Sequence, residues 1–218
     1  MNIGNPSYIT FGNYHQSVPP KKEPIEWLVM DGIYYSENKI LLLSRYALDC
    51  QPFNEELENI GWKDCTLRKW LNNDFLNIAF TEKQQEVIIA GGKPDKKINI
   101  RLYESESDEV AEDRIFLLSE LEAYLYFQDS PLGRCSATPY ALQNGAAAWC
   151  STDGFCRWGV RTRDYFLTVC SISADGLRHS GAGCHVNTKY PIRPAIWIST
   201  DAFKKLYPEQ NIDDRHPA

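Results

Sequence analysis

The sequence predicts an α+β fold in one domain spanning residues 1–218, early helices packed on a mainly antiparallel sheet. Three observations predict it. Helix-start signals recur: Thr81 with Gln84, Ser119 with Glu122, and Thr138 followed by Pro139. Short apolar runs bounded by Gly, Pro and Asp-Gly lie on both sides of them. From Ala146 onward the chain reads as strand and loop, with Asp175-Gly176 as a strong hairpin signal.

The elements follow in order. SYITFG at 7–12 reads as a short strand, and Gly12, Pro19 and Pro20 punctuate the loop after it. PIEWLVM at 24–30 is a second strand, Asp31-Gly32 a turn, and Ile40 to Leu43 a buried strand. Thr66 can cap a helix carrying Leu67, Trp70, Leu71 and Phe75 at helical spacing, which Asn72-Asn73-Asp74 would interrupt or bend. The Thr81–Gln84 capping box opens a helix to about Ile89, stopped by Gly91-Gly92. Residues 93–114 are polar and charged and read as a surface insertion. Ile115 to Leu118 is a short apolar strand before the helix that Ser119 caps; Gly145 ends the helix that Thr138 caps. Trp158 to Arg161 and Val169 to Ser173 are strand-like, and a return strand runs past Gly181 and Gly183 to Val186. IRPAIWI at 192–198 closes the sheet, beside an edge or bulge because two prolines and an arginine adjoin it.

Bulk properties narrow the function classes. Of 218 residues, 43% are hydrophobic and 24% charged, an ordinary globular composition. A net charge of −6 disfavours general binding to nucleic acid or to anionic membranes. No apolar run approaches the ~20 residues of a membrane span, so no membrane insertion is expected. The first residues lack the basic and apolar regions of a secretory signal. The default location is therefore cytoplasmic, with export by another route open. Seven cysteines leave at least one without an intrachain partner, and reduced thiols are the default expectation.

Chemistry-bearing motifs are sparse. Cys184 and His185 are adjacent, but neighbours on a strand point to opposite faces, so this spacing does not build a dyad. Cys150, Cys156, Cys170, Cys184 and His185 lack the tight pairs of a zinc site. No phosphate loop, EF-hand loop or nucleophile elbow is present. No metal and no cofactor is expected. Glu55, Glu56, Glu58 and Asp64 near Trp62 read as a solvated loop. Trp27, Trp70 and Trp197 read as core, and Trp62 and Trp158 as half-buried. Trp149, in AAAWCSTDGF, suits either burial or an exposed contact, and Trp149 and Phe155 are candidate anchors for a partner.

Several segments form a recognisable frame. They are SRYALDCQPFN (44–54), CTLRKWLNNDFLNIAFT (65–81), RIFLLSELEA (114–123), TPYALQNG (138–145), WGVRT (158–162), the Asp175-Gly176 hairpin and PIRPAIWI (191–198). In this order they resemble a domain family of unassigned function from bacteria and phages. That family in turn resembles the C-type-lectin fold of formylglycine-generating-enzyme type, which also carries the variable proteins of diversity-generating retroelements. The resemblance implies a fixed core with altered side chains on one ligand-facing surface. After Trp158-Gly159-Val160-Arg161, and around the hairpin, the frame holds small or amide residues; here stand larger and charged ones. Lys189 and Trp149 depart from what adenine-directed diversification would leave. No reactive cysteine pair of the formylglycine-generating type can be placed on this chain.

The expectation is a ligand-binding protein, not an enzyme, that displays a variable C-terminal surface. Its site residues would be Trp149, Phe155, Arg157, Thr162, Arg163, Asp164, Tyr165, Phe166, Thr168, Arg178, His179, Ser180, Asn187 and Tyr190. The partner would be a protein or a cell-surface ligand, with the oligomeric state left open. Alternatives are a thiol-dependent or formylglycine-type enzyme, or a structural module that is not diversified.

Overall fold

The computed structural model describes residues 6–30, 38–91, 113–128, 130–177, 184–210 and 212. Eleven strands appear among them, and every strand pairing is antiparallel. They are β1 (Tyr8–His15), β2 (Lys22–Met30), β3 (Lys39–Ser44), β4 (Asp49–Pro52), β5 (Ile88–Ile89) and β6 (Ile115–Phe116). The last five are β7 (Trp158–Arg163), β8 (Thr168–Ile172), β9 (Cys184–His185), β10 (Lys189–Ile192) and β11 (Ala195–Ser199). The main sheet runs β1-β2-β3-β11-β5, with β6 also on β11. A β4–β10 pair and a β7-β8-β9 sheet complete the α+β architecture.

The main sheet explains the apolar runs. β11 is buried throughout except for Ser199, and it pairs with β3, β5 and β6. Of IRPAIWI, Ala195–Ile198 fall in β11, which lies between β3 and the two-residue edge strands β5 and β6 and so stands beside an edge, as expected. The prolines, Pro191 and Pro194, lie in β10 and in the link between β10 and β11, so β11 itself keeps its backbone donors. Ile88 and Ile89 also pair with β11, so the helix after Thr81 stops at Gln85 and not near Ile89. Tertiary pairing of two β-branched residues wins over continued helix there. Gly12 sits in a bulge of β1 at φ 72°, where an added Cβ would lie 2.5 Å from the Phe80 ring.

Helix boundaries follow the capping chemistry. Thr81–Gln84 and Ser119–Glu122 form reciprocal capping boxes, and Thr138 caps the Pro139–Gln143 helix. At the first helix the cap is Cys65 and not Thr66; its sulfur accepts from the Arg68 backbone N–H. This helix runs Thr66–Trp70, passes into a π segment at Leu71–Phe75, and returns to α at Leu76–Ala79. The π segment falls on the Asn72-Asn73-Asp74 interruption. Asn72 explains its placement: its amide donates to Arg68 O and Ile115 O, and its Oδ1 accepts from the backbone N–H groups of Arg114 and Ile115.

The core joins both halves of the chain. Trp62 and Trp158 are fully buried, not half-buried, because each indole N–H finds a partner inside. Trp158 donates to Gly133 O at 2.9 Å and Trp62 to Asp113 Oδ2 at 2.8 Å. Trp70, expected in the core, is only half-buried. Of the expected insertion at 93–114, residues 93–112 lie outside the described residues; Arg114 is exposed, but Asp113 is buried and ion-paired to Arg68 at 2.6 Å. Burial still raises its carboxyl above the usual range, more than Trp62 and Arg68 lower it. The Asp31-Gly32 turn and the 178–183 part of the return strand lie outside the described residues. The Asp175-Gly176 turn is present, with Gly176 at φ 86° against the Gly133–Arg134 backbone.

Candidate functional site

β7 and β8 pair through Trp158↔Ile172, Gly159↔Ser171 and Arg163↔Val169, with an irregularity between Gly159 and Arg163. Their connection, 164–167, is a built turn. The Asp164 N–H donates to Thr168 O and the Thr168 N–H to Tyr165 O at 2.7 Å. The Thr168 hydroxyl accepts from the Tyr165 N–H at 3.1 Å and donates to Tyr165 O at 2.8 Å. On this frame Tyr165 is 70% exposed and Phe166 61% exposed. Their rings meet edge to face at 4.6 Å, an apolar knuckle pointing at solvent.

Two more segments join the knuckle. The Val186 N–H donates to Leu167 O at 2.8 Å, and the Asn54 N–H to Val186 O at 2.9 Å. Arg163 crosses the same gap, its Nη2 donating to both Asn59 Oδ1 and Phe166 O. Asn54 holds its own loop, its amide donating to Glu56 O and Glu58 Oε1 at 3.0 Å each. Residues 54–59, 164–167 and 184–187 therefore form one continuous face. Glu55, Glu56, Leu57, Glu58, Asn59, Asp164, His185 and Asn187 are exposed around the aromatic pair.

A second cluster lies at the start of β7. Cys150 and Cys156 form a disulfide, correcting the expectation that the thiols are all reduced. The bridge closes the base of a loop whose flanks also join, the Arg157 N–H donating to Trp149 O at 3.0 Å. Trp149 is half-buried, stacked on Tyr190 at 4.9 Å and donating to Lys189 O at 2.9 Å. Arg157 lies 6.0 Å from the Trp149 ring, and Arg134 lies 5.5 Å from the Phe155 ring. Burial raises the Cys184 thiol above its usual range, and the positive charge of nearby Arg157, with a hydrogen bond from it, offsets part of that.

The expected site residues divide accordingly. Arg163, Asp164, Tyr165, Phe166, Thr168 and Asn187 share the knuckle face; Trp149, Phe155 and Arg157 surround the disulfide loop. Tyr190 is a correction: it is 2% exposed, covered by Trp149 and packed over Gly159, where an added Cβ would lie 3.6 Å from its own Cβ. A glycine opposite a buried strand admits the large ring, so Tyr190 belongs to the core. Thr162 is half-buried and its hydroxyl accepts from the Glu120 N–H at 2.8 Å, a contact that ties the Glu120–Phe127 helix to β7. Arg178, His179 and Ser180 lie outside the described residues. Glu55, Glu56, Leu57, Glu58, Asn59 and His185 are on the face but were not anticipated there. The acidic run was visible in sequence; its distance of about a hundred residues from the knuckle hid the juxtaposition.

The thiols of Cys50, Cys65, Cys135 and Cys184 are poorly suited to nucleophilic attack. Burial pushes Cys50 and Cys65 up to about 12, and it also raises Cys135. Among the described residues, no three His, Cys, Asp or Glu side chains stand together as a metal site. No described helix is long and apolar enough to cross a membrane.

The fold and surface define an α+β domain with an exposed aromatic knuckle on a buried chassis. Residues 37–200 match the model of the domain of unknown function DUF6273, and the chain belongs to that family. Neither a curated protein nor a solved structure matches the chain.

Proposed function

We propose that the protein is a recognition domain whose ligand-facing surface is the face built by residues 54–59, 164–167 and 184–187. One observation carries this reading. Two large aromatic rings, Tyr165 and Phe166, stand mostly exposed at the tip of a turn held by four hydrogen bonds. Exposed aromatics at a fixed position supply contact area at low entropic cost, which suits binding and serves no packing purpose. Trp149, Phe155 and Arg157 extend the surface beyond the disulfide loop.

The finer reading is a C-type-lectin-type fold of the kind found in variable proteins of diversity-generating retroelements. Its support is the return of β11 to the sheet begun by β1 to β3, with the small β7-β8-β9 sheet emerging between. It is also supported by the fixed roles of Trp158, Arg161, Arg193 and Trp197, all buried, beside the exposed Asp164, Tyr165 and Phe166. The raised thiols give no support to a cysteine enzyme. A template repeat in the genome, adenine-bearing at the codons of residues 162–168 and next to a reverse-transcriptase gene, tests the diversification; its absence overturns it.

The binding role is tested by selecting a displayed random peptide library on the full chain, then on a Tyr165→Ser/Phe166→Ser variant. Enriched peptides that bind the first and not the second are expected. Peptides indifferent to both substitutions would overturn the role.

A further inference from the structure

The charge around the knuckle narrows its partner. Glu55, Glu56 and Glu58 flank exposed Leu57, and Asp164 adjoins Tyr165. The hydrogen bonds from Asn54 to Val186, from Val186 to Leu167 and from Arg163 to Asn59 hold these carboxylates beside the aromatic rings. Four exposed carboxylates thus stand on the segments that carry Leu57, Tyr165 and Phe166. Arg163, on the same face, is half-buried and hydrogen-bonded to the neutral Asn59 Oδ1 and Phe166 O, so its charge offsets one of the four carboxylates and the face stays acidic. The next basic residue along the acidic loop, Lys63, follows buried Trp62.

We infer that this face binds a protein segment that presents an apolar residue flanked by lysine or arginine. This rests on the recognition reading and names its partner class. An apolar centre with a predominantly acidic rim, four carboxylates against Arg163 and the Arg157 beside Cys184, selects a complementary rim: the rings and Leu57 supply contact area, and the carboxylates set orientation and encounter rate. The same rim repels the phosphates of nucleic acid and of anionic lipid, which disfavours both as occupants relative to a basic protein segment. The rim charges are exposed, so their effect is screened by salt while that of the rings is not.

The test uses the peptides selected above, bound to the full-length chain in fluorescence anisotropy at low and high salt. The comparison proteins are Tyr165→Ser/Phe166→Ser and Glu55→Gln/Glu56→Gln/Glu58→Gln. Expected are peptides rich in Lys or Arg beside Leu, Ile or Phe, about tenfold weaker on the glutamine variant and with a shallower salt dependence there. Peptides that need the aromatic pair but carry no basic excess, and bind the glutamine variant equally, overturn this inference and leave the recognition reading standing. Peptides indifferent to the aromatic pair, or a selection that enriches nothing, overturn both. Unchanged thermal unfolding of each variant separates lost contacts from lost fold.

Discussion

Arg161 holds Glu122 from inside the protein: Nη1 and Nη2 both donate to the carboxylate, the latter at 3.0 Å, and Nη1 also donates to Leu117 O at 2.8 Å. The Arg161 side chain is fully buried. Glu122 Oε2 accepts in addition from the Ser119 N–H at 2.7 Å. One ion pair therefore fixes the helix start and the strand that leads to the knuckle. Removing one partner breaks this pairing in the interior, where the remaining charge is costly to hold. Arg161→Met or Glu122→Leu alone should destabilise by about 3–5 kcal/mol. The double variant should lose less than the two single losses added, read as urea midpoints. Full additivity would mean the two groups are not coupled.

Tyr190 separates a core role from a surface role. Its ring is buried, and its hydroxyl has no hydrogen-bond partner among the described residues. Tyr190→Phe should leave stability unchanged or slightly higher, because a buried orphan hydroxyl is removed. Tyr190→Ala should cost about 3–5 kcal/mol through the cavity under Trp149. If Tyr190→Ala weakened peptide binding and left the unfolding temperature alone, Tyr190 would belong to the surface after all.

Much of the fold was legible because local chemistry and tertiary structure agree. Thr81, Ser119 and Thr138 cap helices where expected, since a side-chain oxygen three residues ahead of a free N–H decides the matter locally. β1, β2, β3, β7 and β8 fall on the apolar runs. What failed was non-local. Ile88-Ile89 could be helix or strand until β11 arrives to pair with them. Tyr190 looked like an anchor because its cover, Trp149, and its floor, Gly159, are distant in sequence. The aromatic half of the face was readable from Tyr165 and Phe166; the acidic half depended on contacts between Asn54, Val186 and Leu167 that no spacing encodes.

Phe166 carries a backbone cost for its position. Its φ of 24° lies in the region where a Cβ crowds the following carbonyl. Phe166→Gly should raise stability by about 0.5–1 kcal/mol, the relief being reduced by the glycine's freer unfolded chain. It should also weaken any peptide that needs the aromatic pair. Calorimetry checks the first effect, and a lower unfolding temperature would contradict it.

The Cys150–Cys156 bridge closes a loop with a sequence separation of 6. For so short a loop the chain-entropy model gives roughly 2 kcal/mol. Cys150→Ser/Cys156→Ser should therefore lower stability by about that amount under oxidising conditions. Under dithiothreitol the wild type should fall toward the variant. A wild type unaffected by the reductant, with two further alkylatable thiols already present, would show that the bridge does not form.

Alkali should unfold the protein by way of its buried acids. Cys50 and Cys65 have a reference value of 9.0 and are pushed up to about 12 by burial, and burial with Asp49 raises Tyr14 as well. The folded state therefore holds these protons longer than the unfolded one. The associated stability is full below about pH 9 and is lost as pH rises toward 12. Urea midpoints should fall steadily above pH 9, less steeply in Cys50→Ala/Cys65→Ala. A flat profile to pH 11 would contradict the burial of these groups.

Hydrogen–deuterium exchange locates the ligand-facing surface most directly. It compares the full chain alone and with the peptide most enriched on the wild type. Slowed exchange should be confined to residues 54–59, 164–167 and 184–187. The rival is the apolar groove of ≈ 280 Å³ between Tyr124, Phe127 and Leu177. Protection there, with the knuckle exchanging as in the free protein, would contradict the assignment.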